Sequence, residues 1–200
     1  MVLRLILLFL ALFALAACDR QKPPAQQGEG AQQGEQGASA EDQATVGIKG
    51  VHRENAGKPA PKASFRDPDG GEISIADFKG VPVLVNLWAS WCGPCIKELP
   101  TLAKLSDAHL QDGQLGVIAV SQDNGPQNSV IAFLAAHKID GLGAYQDPGM
   151  ALSGALGVQV MPTTVLYDRN GREVWRYVGD LDWTSAEAAK LLAEASSSAG

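Results

Sequence analysis

Residues 81–88 (VPVLVNLW) form an apolar run interrupted by Asn86 alone among polar residues, and the run stops just ahead of Cys92-Gly93-Pro94-Cys95. A strand exposed on one face alternates apolar with polar residues, whereas this run does not. Its length and valine content predict a central strand buried on both faces. Such a strand needs neighbours on both edges and cover above and below, which points to a layered sheet. The residues from Ile96 to His109 then predict a helix, so the cysteine pair sits at a strand-to-helix junction. A helix N-terminus offers unbonded N–H groups and the positive end of the dipole, both of which favour a thiolate. Cys92 is therefore expected to be the exposed, attacking sulfur, with Cys95 one turn deeper to resolve a mixed disulfide. Gly93 permits the tight geometry and Pro94 suits the first helical turn.

The rest of the C-terminal part alternates strand and helix signals. Residues 64–75 contain a turn, Asp67-Pro68-Asp69-Gly70-Gly71, between short strand-like pieces, and residues 77–80 form one helical turn. Residues 117–120 predict a second buried strand, 128–137 a helix, 143–146 a short strand and 151–156 a brief helix. Residues 163–167 and 173–177 alternate as strands around the turn Asp168-Arg169-Asn170-Gly171. A last amphipathic helix is expected over 183–195, begun by Thr184 or Ser185 as cap. The predicted class is α/β with a mixed sheet.

The N-terminal part is of a different kind. Residues 2–17 are almost wholly apolar, broken only by Arg4, and are short for a membrane span of ~20 residues. They predict a secretory signal peptide over 1–17. Leu15-Ala16-Ala17-Cys18 resembles the lipobox of bacterial lipoproteins, which implies lipidation at Cys18, and Asp19 resembles an inner-membrane retention signal. Residues 18–56 carry near-repeats rich in Gln, Gly and Glu without apolar periodicity, and are expected to be a flexible tether. About 35 such residues give an r.m.s. reach of ~30–35 Å. The globular domain is assigned to 57–200. Its formal net charge context is −6 for the whole chain, from 16 basic and 22 acidic residues, so no electrostatic footprint for nucleic acid exists.

Trp91-Cys92-Gly93-Pro94-Cys95 is identical to the active-site motif of the thioredoxin family, and residues 84–91 are similar to the strand that leads into it. Met161-Pro162-Thr163-Thr164 resembles that family's cis-proline loop. The resemblance covers about residues 57–197. It implies a thioredoxin-like three-layer sandwich, a redox-active Cys92/Cys95 pair, and a client-binding surface of Trp91, Gly93, Pro94, Met161, Pro162 and Thr163. The lipobox, the extra strands within 64–75, the helix–strand insertion at about 126–146 and Lys97-Glu98-Leu99-Pro100 resemble the TlpA/ResA branch of anchored thiol-disulfide enzymes. That branch implies an acid/base role for Glu98, no cofactor, disulfide-bearing client proteins such as apocytochrome c, and a membrane thiol transporter of the DsbD/CcdA type as electron donor. It places the protein on the periplasmic face of the bacterial inner membrane. One departure is Asn86, which stands where thioredoxin has a buried aspartate and cannot take a proton.

The same residues admit other readings. Glu98 has a bland alternative as a solvated glutamate near a positive helix end. A structural zinc site takes four ligands, and His52, His109 and His137 lack ligand spacing to the cysteines, so no metal is expected. A thiol peroxidase and a non-catalytic tethered binding or chaperone module remain alternatives to a disulfide reductase.

Overall fold

A computed structural model describes residues 48–110 and 113–197. The elements, in chain order, are β1 (Gly50–His52), β2 (Ser64–Arg66), β3 (Glu72–Ser74), a 3-10 turn (Ile75–Phe78), β4 (Val83–Trp88), α1 (Gly93–Leu110), β5 (Gly116–Ser121) and α2 (Gln127–Ala136). They continue with β6 (Tyr145–Gln146), α3 (Ala151–Leu156), β7 (Thr163–Tyr167), β8 (Glu173–Val178) and α4 (Ala186–Ser197). The signal peptide, Cys18 and most of the tether lie outside the described residues. Among the described residues no helix is long and apolar enough to cross a membrane.

The strands form one mixed sheet in the order β1-β8-β7-β4-β5-β6-β2-β3. β4 runs parallel to β5, and β5 to β6, while the other pairings are antiparallel. All six residues of β4 are buried, as its apolar run requires. The two-residue period of a strand divides them between faces. Val83, Val85 and Leu87 pack with Ile118, Val120, Val165 and α3's Leu152. Leu84 and Trp88 pack with residues of α1, α2 and α4, among them Leu99, Leu134 and Leu191. Helices on both faces complete the three-layer sandwich. Leu84 is fully buried, so truncating it to alanine is expected to destabilise the fold by about 2–5 kcal/mol.

The expected helix–strand insertion is α2 with β6, placed between β5 and α3. The expected hairpin joins β7 to β8. Asp168 Oδ1 accepts from the N–H groups of Asn170 and Arg172, both at 2.8 Å, and Gly171 takes the left-handed φ of 72° that the turn needs.

Three boundaries differ from expectation. β1 falls inside 18–56, the segment assigned to the tether, so the folded domain begins earlier than residue 57. Only Val51 in it is apolar; the strand forms because it pairs with β8, Gly50 opposite Val178 and His52 opposite Arg176. α1 starts at Gly93 rather than Ile96, so Cys92 directly precedes the helix and Cys95 lies in its first turn. α4 starts at Ala186 rather than Trp183, with Ser185 Oγ accepting from the Ala188 N–H at 3.1 Å. Ser185 is thus the cap, and Trp183 belongs to the loop before it.

Candidate active site

Three strand ends bring the site together. Leu87, near the end of β4, pairs with Thr163 at the start of β7, and Thr163 pairs with Val178 at the end of β8. The loop that carries the cysteines, the loop that carries Pro162 and the loop that follows β8 therefore leave the sheet at one place. The Gly179 N–H donates to the Pro162 carbonyl at 2.8 Å, which ties the last two together. The Met161–Pro162 peptide is cis. Met161 is half-buried and packs against the cluster that contains both cysteines.

Cys92 and Cys95 are joined in a disulfide, with Cα atoms 5.3 Å apart. The Cys95 N–H donates to Cys92 Sγ at 3.3 Å, one of the first-turn N–H groups of α1 that has no partner within the helix. Cys95 is wholly covered. Cys92 keeps only 7% of its surface, so the exposed sulfur expected from the sequence is exposed only relative to Cys95. Trp91 is 69% exposed, and Gly93 and Pro94 are exposed beside it. Pro162 and Thr163 are buried. Thr163 donates its hydroxyl to the Val160 carbonyl at 2.7 Å and thus braces the proline loop.

Glu98 lies on α1, three residues beyond Cys95, and is 2% exposed. That excludes the solvated glutamate. Oε1 accepts from Asn86 Nδ2 at 2.7 Å; Oε2 accepts from the Leu181 N–H at 3.1 Å and from Trp183 Nε1 at 3.2 Å. Burial penalises the charged form and pushes the carboxyl up to about 7, while the three donors favour the carboxylate and limit the rise. A cavity of about 300 Å³ lined by Lys97, Thr101, Asp180 and Asp182 reaches this carboxyl. Asp180 is held at its mouth by Lys49 at 2.6 Å and Lys97 at 3.7 Å.

Asn86 is fully buried and shares the parity of Leu84 and Trp88, which turns it toward α1 and Glu98. Its Nδ2 also donates to Thr164 Oγ1 at 2.9 Å, while its Oδ1 has no protein partner. An amide can be rotated end for end without changing its shape. In the placement described, Asn86 donates to ionised Glu98; turned over, it accepts from the protonated acid. Asparagine can thus pair with either form of the acid without titrating itself. The sequence placed Glu98 near Cys95 but gave no sign of Leu181 or Trp183 as its partners.

A cysteine pair that opens and closes one S–S bond at a helix start, beside a cis-proline loop on a mixed sheet, carries two electrons and needs no further group to hold them. This is the class of thioredoxin-fold thiol-disulfide oxidoreductases. The chain belongs to the Redoxin family, whose profile matches residues 55–192. It is 32% identical over 124 residues to the thiol-disulfide oxidoreductase ResA of Bacillus thuringiensis (strain Al Hakam), covering 62% of this chain and 70% of that protein. The structure of a candidate thiol:disulfide interchange protein DsbE from Chlorobium tepidum matches with a TM-score of 0.60 and 26% identity, over 70% of this chain and 96% of the other. StoA from Bacillus subtilis matches with a TM-score of 0.53 and 29% identity, over 69% and 99%.

Proposed function

We propose that this protein is exported, tethered to the membrane through a lipid on Cys18, and reduces disulfides in client proteins outside the cytosol. The observation that carries the reductive mechanism is the buried Glu98, one helical turn beyond Cys95 and pushed into the neutral range. In the reduced enzyme the Cys92 thiolate attacks one sulfur of a client disulfide. The client S–S bond breaks, one client sulfur leaves as thiolate, and a mixed disulfide forms. The Glu98 carboxylate takes the Cys95 proton, and the Cys95 thiolate attacks Cys92 Sγ. The second client sulfur leaves, the Cys92–Cys95 disulfide closes, and two electrons have passed to the client. Glu98 and solvent return the protons to the client thiolates. A general base works best with a pKa near the operating pH, which suits Glu98.

Trp91, Gly93 and Pro94 form the exposed side of the client surface, and the Met161 backbone before Pro162 the other. The Gly-Pro pair between the cysteines supports a reductant, near the −270 mV of thioredoxin rather than the −120 mV of strong oxidants. A reductant in an oxidising compartment needs electrons carried across the membrane. A thiol transporter of the DsbD/CcdA type fits that need, with the protein on the periplasmic face of the inner membrane. Clients of matching chemistry are apocytochrome c, whose haem-binding cysteines must be reduced, and copper-site cysteines.

Equilibration of Cys92/Cys95 with glutathione tests the direction: a potential above roughly −150 mV overturns the reductant. The Cys95→Ser variant stalls the mixed disulfide and is expected to retain the client covalently on Cys92.

A further inference from the structure

Beyond the cysteine pair and Glu98, a second carboxylate touches the segment that delivers Cys92. β4 and β5 run parallel with Trp88 opposite Ser121, so the loops leaving these strands start side by side. The Gln122 N–H donates to the Trp88 carbonyl at 2.8 Å and prolongs the ladder by one bond. The next residue, Asp123, reaches across. Its Oδ2 accepts from the Ser90 N–H at 3.0 Å and from Ser121 Oγ at 2.7 Å, and its Oδ1 accepts from Ser90 Oγ at 2.9 Å. Ser121 Oγ in turn accepts from the Asp123 N–H at 3.1 Å, and Gln146 Nε2 donates to the Asp123 carbonyl at 2.8 Å. The carboxylate is anchored from its own side and grips both the main chain and the side chain of Ser90. Ser90 belongs to the turn closed by the Cys92 N–H on the Ala89 carbonyl at 3.1 Å, and Trp91 projects from that turn into solvent.

We infer that Asp123 is a positioning residue, which holds Ser90 and so fixes the turn that sets Cys92 and Trp91 toward a protein client. Hydrogen bonds to a charged acceptor are stronger than neutral ones, and two of these end on a residue two positions ahead of the attacking sulfur. The inference rests on the thiol–disulfide reading of the cysteine pair. It adds a residue that neither contacts the reacting atoms nor shares the Glu98 pocket.

Two measurements on the full chain decide it. The first is amide hydrogen exchange in the oxidised protein, which needs no client. Asp123→Ala is expected to speed exchange at Ser90 and Cys92 by about tenfold or more, with β7 and β8 unchanged. Asp123→Asn keeps an acceptor for the Ser90 N–H and is expected to recover most of the protection. Unchanged exchange at Ser90 and Cys92 in Asp123→Ala overturns the assignment. The second is the rate of reduction of insulin against that of a small aromatic disulfide. Misplacing a reacting group by about 1 Å costs up to ~100-fold, so Asp123→Ala is expected to lose about 10- to 100-fold on insulin. The small disulfide needs no docking beside Trp91 and is expected to lose less than about threefold. Asp123→Asn is expected to restore the insulin rate to within about threefold of wild type. An equal loss on both disulfides marks general destabilisation and overturns the positioning role. A wild-type protein that reduces neither disulfide overturns the proposed function instead, and the exchange data then decide Asp123 alone.

Discussion

Two carboxylates stand on either side of the cysteine pair, and they differ in where their donors come from. Glu98 is buried on the inner face of α1 and receives its hydrogen bonds from Asn86 on β4 and from Leu181 and Trp183, more than eighty residues on in the chain. Asp123 sits half-buried where the interior strand β5 ends, and its donors come from the end of that strand and from the loop between β4 and α1. Each draws on three protein donors, so the number of donors does not separate them. Removal from water does: it lifts the Glu98 proton into the neutral range, where it can be exchanged during a reaction. Asp123 contributes through geometry.

Glu98 serves Cys95 and Asp123 the turn before Cys92, and neither contribution counts unless Cys92 attacks. The largest expected effect is therefore that of Cys92→Ser, which should bring insulin reduction to background; any substantial remaining turnover breaks the scheme. Next, Glu98→Gln should slow resolution of the mixed disulfide by about 100-fold, the range of a lost general base, and remove an inflection near pH 7 from the rate profile. Stopped-flow mixing with a client disulfide would show the mixed disulfide accumulate, and an unaltered profile would separate Glu98 from proton transfer. The same variant sharpens the energetic side. Glu98 binds its proton more tightly folded, at about 7, than unfolded, near 4.5. Its contribution to stability is complete below about pH 4.5 and is lost as pH rises through 7, an effect on the order of 3 kcal/mol. Denaturant titrations should show wild type losing stability relative to Glu98→Gln between pH 4.5 and 8, and parallel curves would contradict the burial argument. The smallest effect is that of Trp183→Phe, which removes one donor to the carboxylate. It should raise the pH midpoint of the rate profile by about half to one unit, and a fall would show that Trp183 does not support the charged form.

The site divides in the same way when traced back to the chain. The β4 run, the cysteines at the helix start and the hairpin after Tyr167 are local features, each announced by adjacent residues. Asn86 was also within reach, because its parity with Leu84 and Trp88 turns it toward whatever packs on that face. Trp183 was not: in sequence it belongs to an amphipathic pattern, and only the path of the chain after β8 brings its indole to Glu98. β1 escaped for a related reason. Three residues with one apolar side chain carry no pattern, and they become a strand because β8 offers them an unpaired edge. Asp123 left a faint signal, since parallel strands release their loops at the same end of a sheet, yet nothing in Gln122-Asp123-Asn124 names Ser90 as its target.

The pairing of β1 with β8 has a mechanical consequence. Tension applied through the chain ahead of Ile48 enters the fold at Gly50, whose partner Val178 is followed by Gly179, bonded to the carbonyl of Pro162. Lys49, salt-bridged to Asp180, adds a second point of attachment at the same corner. A pull on the amino-terminal side is thus delivered at the end of the sheet from which the proline loop leaves, and among the first bonds to be loaded are those that lead to the Pro162 carbonyl.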